Sequence, residues 1–399
     1  MIDLKAARHD VDATRAALAR KGAAEAFDRL LAADERWRAL VPRADELRSR
    51  TKPKGRPTPE QLAQLQGMKD ELREVETELA AAETERDELA LRVPNPPHAD
   101  APDGSTDADA WELRRVGETP SLAEPREHLE VGRFDMERAA RMSGARFGYW
   151  IGDTARLALA LYQLALDRLA AKGFVTVLPP VLVRKEALIG TGAFPSDAAN
   201  VYELPADGLY LAGTAEIPIA SLHAGEILAR DQLPLRYVAF SPCFRREAGA
   251  AGRDTRGMIR VHQFNKVEQF ALTRPEDSWD EHEALLANTE ELVRELGLPY
   301  RVVVLPAGDM SSASAKTYDV ETWFPAQERF VETASISNTT DFQARRLLIR
   351  VRGERGVEPV HMLNGTAVVD RMALAILENF QGDVPDVLHA YGAPTRIAS

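Results

Sequence analysis

The chain has 399 residues, of which 45% are hydrophobic and 28% charged, a balance that excludes global disorder and accommodates two or three domains with a large core. A single cysteine, Cys243, excludes an internal disulfide framework, and eight histidines without metal-ligand spacing give no reason to expect zinc. The formal net charge of -12 argues against a nucleic-acid partner unless the Lys and Arg residues are clustered.

In chain order, the opening stretch MIDLKAARHDVDATRAALARKG carries charge every few residues and no unbroken apolar run. It reads as neither a signal peptide nor a membrane span, so the expected compartment is the cytoplasm and no membrane contact is expected. A short helical cap is predicted from Asp3 to Lys21. Phe27, Leu30, Trp37, Val41 and Ala44 then follow an apolar helical spacing, with Asp34 in the seam and Pro42 expected to kink the helix. TKPKGRPTP cannot continue a helix, and the chain is expected to reverse there. Beyond it Leu65, Met68, Leu72, Val75, Leu79, Ala82, Arg86 and Leu89 recur at alternating spacings of three and four, with only Arg86 breaking the apolar series.

Residues 1–95 therefore read as an antiparallel coiled-coil hairpin. Its tip is basic: Arg43 to Arg56 holds six basic and two acidic residues, against three basic and nine acidic from Lys69 to Glu88. Such an arm serves either to reach a polyanionic partner or to dimerise, and periodicity alone does not choose. Residues 96–126, dense in Pro, Gly, Asp and Ser, read as a linker to a domain over 127–399. There the helical stretch ARLALALYQLALDRLAAKG alternates with β-like runs FVTVLPPVLV, LPLRYVAF, MIRVHQFNKVEQFAL and YRVVVLP. Neither GxGxxG after a strand nor GxxxxGK[ST] occurs, so a bound nucleotide would have to lie on the sheet itself.

The segment CFRREAGAAGRDTRGMIRVHQFNKVEQF, 243–270, concentrates fixed positive charge among core residues. Strand alternation predicts Arg245 and Glu247 on one face, and Arg260, His262 and Phe264 together on another. Two such strands could offer Arg245 to a phosphate, Phe264 to a stacked base and Glu247 to an amino group.

This segment resembles the second signature motif of class II aminoacyl-tRNA synthetases, specifically that of the seryl-tRNA synthetase family. GFVTVLPPVLV, containing Pro180, resembles the first motif; GTAEIP resembles the serine-binding Thr-x-Glu segment; ETASISNTTDFQARR and LNGTAVVDRMALAILEN resemble the segment before the third motif and the third motif itself. The chain departs from the family pattern at Arg246, where a small serine is frequent, at Gly213, where a proline is frequent, and in a third motif one residue shorter.

The resemblance implies an α+β fold: an antiparallel-sheet class II catalytic domain flanked by helices and preceded by the coiled-coil arm. It implies activation of L-serine with ATP to seryl-adenylate, then transfer to the 3′ end of tRNA(Ser), the family also charging tRNA(Sec). By the match, Arg245 and Arg371 are catalytic. The ATP set is Arg245, Arg246, Glu247, Val261, Phe264, Glu332, Thr333, Ala334, Ser335 and Arg371, with Mg2+ on Glu332 and Ser335. The serine set is Thr214, Ala215, Glu216, Arg245, Glu268 and Thr366. The arm residues Arg48, Arg50, Lys52, Lys54 and Arg56 are expected on tRNA, and Pro180 at a homodimer interface.

The chemistry agrees with such a set. The attacking serine carboxylate is already ionised near neutral pH, so the site must align the reactants and neutralise phosphate charge rather than supply a base. Serine, being small, must be read by buried polar partners, which reject an analogue lacking the hydroxyl by a factor of about 10⁴. Two alternatives remain open at this point: a serine-activating enzyme that loads a carrier protein or a biosynthetic intermediate, and a non-catalytic RNA-binding regulator.

Overall fold

The computed structural model describes residues 1–52, 58–248, 257–353 and 356–398. The chain divides into two compact units, Met1–Pro94 and Asn95–Ser399.

In the first unit, α1 (Leu4–His9) and α2 (Val11–Ala19) take the place of one predicted cap helix. The break falls at Asp10, whose side chain accepts from Ala13 N and so caps α2 just as Asp3 caps α1. Next, α3 (Ala24–Arg50) runs through Pro42 without interruption, and α4 (Pro59–Ala90) starts from a Thr58–Gln61 capping box. Proline costs α3 one backbone bond. Ala44 and Leu47, two and five residues on, are held against Val75 of α4.

Every described α4 position outside the predicted series up to Leu89 is exposed, and every position in it is buried or half-buried. The exception in chemistry, Arg86, lies with its guanidinium carbon 4.0 Å from the ring centre of Trp37, so a cation–π contact replaces an apolar one. Asp34 is held by Arg8 at 2.8 Å. Arg36–Glu85 joins the earlier part of α3 to the later part of α4, whereas Arg43–Glu71 and Arg48–Glu76 join the later part of α3 to the middle of α4; the pair is therefore antiparallel, and these contacts use the basic-against-acidic bias of the two halves.

The second unit is built on an eight-stranded sheet: β1 (Trp111–Val116), β2 (Val175–Val177), β3 (Leu235–Phe244), β4 (Gln263–Thr273), β5 (Tyr300–Val304), β6 (Lys316–Phe324), β7 (Arg329–Asn338) and β8 (His361–Val369). In space the order is β1-β5-β6-β7-β8-β4-β3-β2, antiparallel except for the β2–β3 pair at one edge. β1 lies inside the stretch read as a linker: Trp111 to Val116 pair with Val304 to Tyr300, and Asn95 Nδ2 donates to Ala313 O and Thr339 O, both at 2.9 Å. Proline and glycine density concealed a short edge strand whose partner lies almost two hundred residues away in sequence.

The main core fills one face of the sheet beneath α5 (Asp153–Ala171), α7 (Ser278–Glu295) and α8 (Asp370–Phe380). A smaller core lies on the other face around Ile219 and Ala220 of α6 (Glu216–Ala220) and Phe270 and Leu272 of β4. That second core covers only part of its face. Further along β4 the same face carries Phe264, Lys266 and Glu268, which line a cavity. Among the described residues, no helix is long and apolar enough to cross a membrane.

Candidate active site

β3 and β4 pair from Leu235–Leu272 to Phe244–Gln263, so the ladder stops one residue before Arg245. The predicted strand over Ile259–Phe264 therefore begins only at Gln263. Adjacent residues Met258 and Ile259, with Val261, are all buried in the main core, which a two-residue alternation cannot achieve. Arg245 and Glu247 likewise lie beyond their strand rather than on one of its faces, and Glu247 has a φ of 52°. Tertiary bonds hold these ends: Arg245 N donates to His262 O at 3.0 Å and Arg246 N to Asn200 O at 2.8 Å.

Arg245 stands at the junction of three adjoining cavities of about 420, 320 and 100 Å³. Its guanidinium carbon lies 5.3 Å from the centre of the Phe264 ring, and its Nε donates to Gly213 O at 3.2 Å. The small cavity is lined by Phe264, Val261, Glu247 and Arg371. A flat base with an exocyclic amino group would meet an aromatic plate and a carboxylate there; Glu247 is meanwhile paired with Arg260. Arg371, in the first turn of α8, donates to Glu332 O and reaches Glu332 Oε2 at 3.2 Å. Partial desolvation opposes ionisation of Glu332, whose side chain is 49% exposed, but the guanidinium groups of Arg371 and Arg245 outweigh it and hold that carboxyl below the usual carboxylate range.

At the other end of the 320 Å³ cavity the polar groups are buried or half-buried. Glu268, 1% exposed, faces Thr366 across the β4–β8 register and accepts from Thr214 Oγ1 at 3.2 Å. Glu216 accepts from Gln343 Nε2 at 2.6 Å; burial, and after it the charge of Glu268, pushes its carboxyl up. Two carboxylates and two hydroxyls thus converge on a space fit for a small ammonium compound with a hydroxyl. Lys266 completes the group as an ion pair to Glu268, and the sequence reading passed over it. Its signal was available: it lies midway between Phe264 and Glu268 at a spacing of two.

Asp319, also missed, faces Ser335 across the β6–β7 register, with one carboxylate oxygen buried and unbonded. Burial, then the neighbouring Glu332, drives its carboxyl well above the ordinary value. Glu332, Ser335 and Asp319 line the same cavity, and hard oxygen donors of this kind fit Mg2+, which takes few protein ligands and retains water. No cluster of three or more His, Cys, Asp or Glu suited to a metal occurs among the described residues.

Other predicted residues are placed differently. Arg246 turns to Val201 O at 3.1 Å and to the Tyr202 ring at 5.0 Å and lines none of these cavities. Ala334 and Ala215 are buried with their methyls in the two cores, so only their backbones could serve a ligand. Thr333 lines the cavity, but its hydroxyl donates to Val320 O at 3.1 Å. Pro180 is exposed, close to the sheet-edge strand β2. On the arm, Arg48 is already paired with Glu76 and Asp45, and Arg50 with Glu46; Lys52 is exposed just beyond the helix end, and the expectation for Lys54 and Arg56 lies outside the described residues.

The first turn of α8 is anchored by Asp370, whose carboxylate accepts from the Tyr162 hydroxyl and from Asn265 N at 3.0 Å. Burial raises its carboxyl to about 6, against the lowering effect of those bonds. A folded-state value above the unfolded one means the folded form holds the proton more tightly. This group's contribution to stability is therefore expected to fall by on the order of 3 kcal/mol as pH rises from about 4 through about 6. Denaturant titrations at several pH values should show that slope in the wild type and not in Asp370→Asn.

Residues 1–97 match the seryl-tRNA synthetase N-terminal domain, and residues 202–380 match the tRNA synthetase class II core domain (G, H, P, S and T). A serine–tRNA ligase of Thermobifida fusca is 46% identical over 412 aligned positions, covering 98% of this chain and 97% of that one. One from Streptomyces coelicolor is 43% identical, covering 98% and 97%. Among solved structures, the seryl-tRNA synthetase of Pyrococcus horikoshii complexed with ATP superposes with a TM-score of 0.93 at 38% identity, covering 100% of this chain and 99% of that one.

Proposed function

The chain belongs to the seryl-tRNA synthetase family, and on that premise we propose that it activates L-serine with ATP and passes the seryl group to the 3′ end of tRNA(Ser). One observation carries the reading to this chain's own residues. A single cavity has Arg245 beside the Phe264 ring at one end and buried Glu268 and Thr366, with Thr214, at the other. Nucleotide and amino acid are thereby brought end to end, with their reacting atoms between.

A serine carboxylate oxygen forms a bond to the α-phosphorus, the bond from that phosphorus to the oxygen bridging to the β-phosphate breaks, and pyrophosphate leaves with the electron pair. No proton need move. Arg245 neutralises the two approaching anions, Arg371 holds phosphate charge from the other side of the base, and Glu268 with Thr366 and Thr214 orients the amino acid. Bound Mg2+ would screen phosphate charge; Glu332 and Ser335 would hold it, with Glu332 kept ionised by its arginines. Serine-dependent ATP–pyrophosphate exchange, followed by charging of total tRNA across amino acids, tests the reading. Exchange without charging would favour a non-tRNA acceptor, and absence of both would favour a regulator.

The arm would grip tRNA through its phosphate backbone and shape. Changing Arg48, Arg50, Lys52 and Lys54 to Glu is expected to raise the KM for tRNA by on the order of tenfold or more at low salt and to leave exchange unaltered. Because Arg48→Glu would also oppose Glu76, a variant changed only at Lys52 and Lys54 separates loss of phosphate contacts from weakening of the helix pair. A second copy of the chain would cover the edge near Pro180, where Val175 and Leu178 are exposed at 57% and 76%.

A further inference from the structure

Lys266 has no part in the scheme above, although its ammonium opens onto the same cavity as the groups that do. Alternation along β4 places Phe264, Lys266 and Glu268 on one face, each about 6.7 Å from the next. Lys266 is 7% exposed and paired with Glu268. A buried ion pair is a weak device for stability, since apolar residues of like volume serve at least as well. The same face of the same strand uses them two and four residues beyond Glu268, where Phe270 and Leu272 pack into the smaller core.

The position suggests another use. With a base on Phe264 and an ammonium on Glu268, the atoms in between are those of the forming mixed anhydride, above the midpoint of that span. Two anions, a carboxylate and an α-phosphate, must approach each other there. We propose that Lys266 is a catalytic residue of the activation step, released to the carboxylate and α-phosphate oxygens when the serine ammonium replaces it on Glu268. One cation then substitutes for another on the same carboxylate. Serine binding thereby delivers a positive charge to the point of bond formation, and the lysine neither gains nor loses a proton. This inference rests on the proposed function.

The test is Lys266→Met, which keeps the length of the side chain and removes its charge. Exchange is expected to fall by about 100-fold or more in kcat. Serine alone should bind the variant at least as well as the wild type and raise its melting temperature by more, because Glu268 is left without a partner. The phosphate-bearing serinol adenylate should bind about tenfold or more weakly. Serine and serinol adenylate weakening by the same factor would overturn the proposal, since a merely structural lysine acts on both alike. Exchange within about threefold of wild type would do so as well. Should Lys266→Met fail to fold, Lys266→Gln answers the same questions by the same criteria. Wild-type protein run in parallel separates the two readings: no serine-dependent exchange there would sink the proposed function, whereas exchange at similar rates in both proteins would sink only the role of Lys266.

Discussion

Arg245→Ala is expected to lower serine-dependent exchange by about 10³-fold or more while the protein stays folded. The side chain lies at the meeting point of all three cavities, and its orientation is set in advance by the Gly213 carbonyl and by the backbone bond to His262. A planar, permanently charged fork held in that way need not be reorganised when carboxylate and phosphate arrive. Little stability depends on it, because the residue is exposed and among the described residues its side chain donates one hydrogen bond to the backbone, worth about 1 kcal/mol. Exchange rates beside a thermal melt decide the matter. Activity within about tenfold of wild type would remove the assigned role.

Glu268→Gln carries the second large effect, on recognition. The carboxylate is almost wholly buried, faces Thr366 in register and binds the Thr214 hydroxyl, so it can meet both the ammonium and the hydroxyl of serine. A neutral amide loses the charge and presents a donor where an acceptor is needed. The KM for serine is expected to rise by about 10³-fold, the KM for ATP to change by no more than about threefold, and the preference for serine over alanine to shrink by about 100-fold. The substitution also leaves Lys266 buried without its partner, at a cost of about 3–5 kcal/mol in stability. Glu268→Gln combined with Lys266→Met should recover much of that stability and none of the serine affinity. Recovery of affinity in the double variant would mean that the pair acts on serine only through packing.

Some of this was legible from residue order alone because its physics is local. The coiled-coil seam from Leu65 to Leu89 needs only a period of three and four, and every one of its positions is sheltered in the arm. Cross-strand neighbours such as Glu268 and Thr366 were grouped through a family resemblance, and the register of β4 with β8 gives their pairing a geometric basis. Lys266 could have been found by the same counting that singled out Phe264 and Glu268, since all three occupy one face of one strand.

Other features depend on contacts distant in sequence. The run Met258 to His262 has strand-like composition but is drawn into the core, because burying adjacent residues 258 and 259 outweighs any pleat. Arg246 and Arg245 are neighbours of identical chemistry, and only the positions of Tyr202 and Phe264 send one guanidinium away from the cavity and the other into it. Asp319 carries no local signal at all; its importance comes from facing Ser335 across a strand pair and lying close to Glu332. Residue order by itself determined the helical arm, the strand-rich second half and the kinds of side chain available for adenylate chemistry, since periodicity and functional-group chemistry are properties of short segments. Which of those side chains converge, how deeply each carboxylate is buried and therefore which of them keeps its charge were decided only when distant strands paired, because electrostatic environment belongs to neighbours in space.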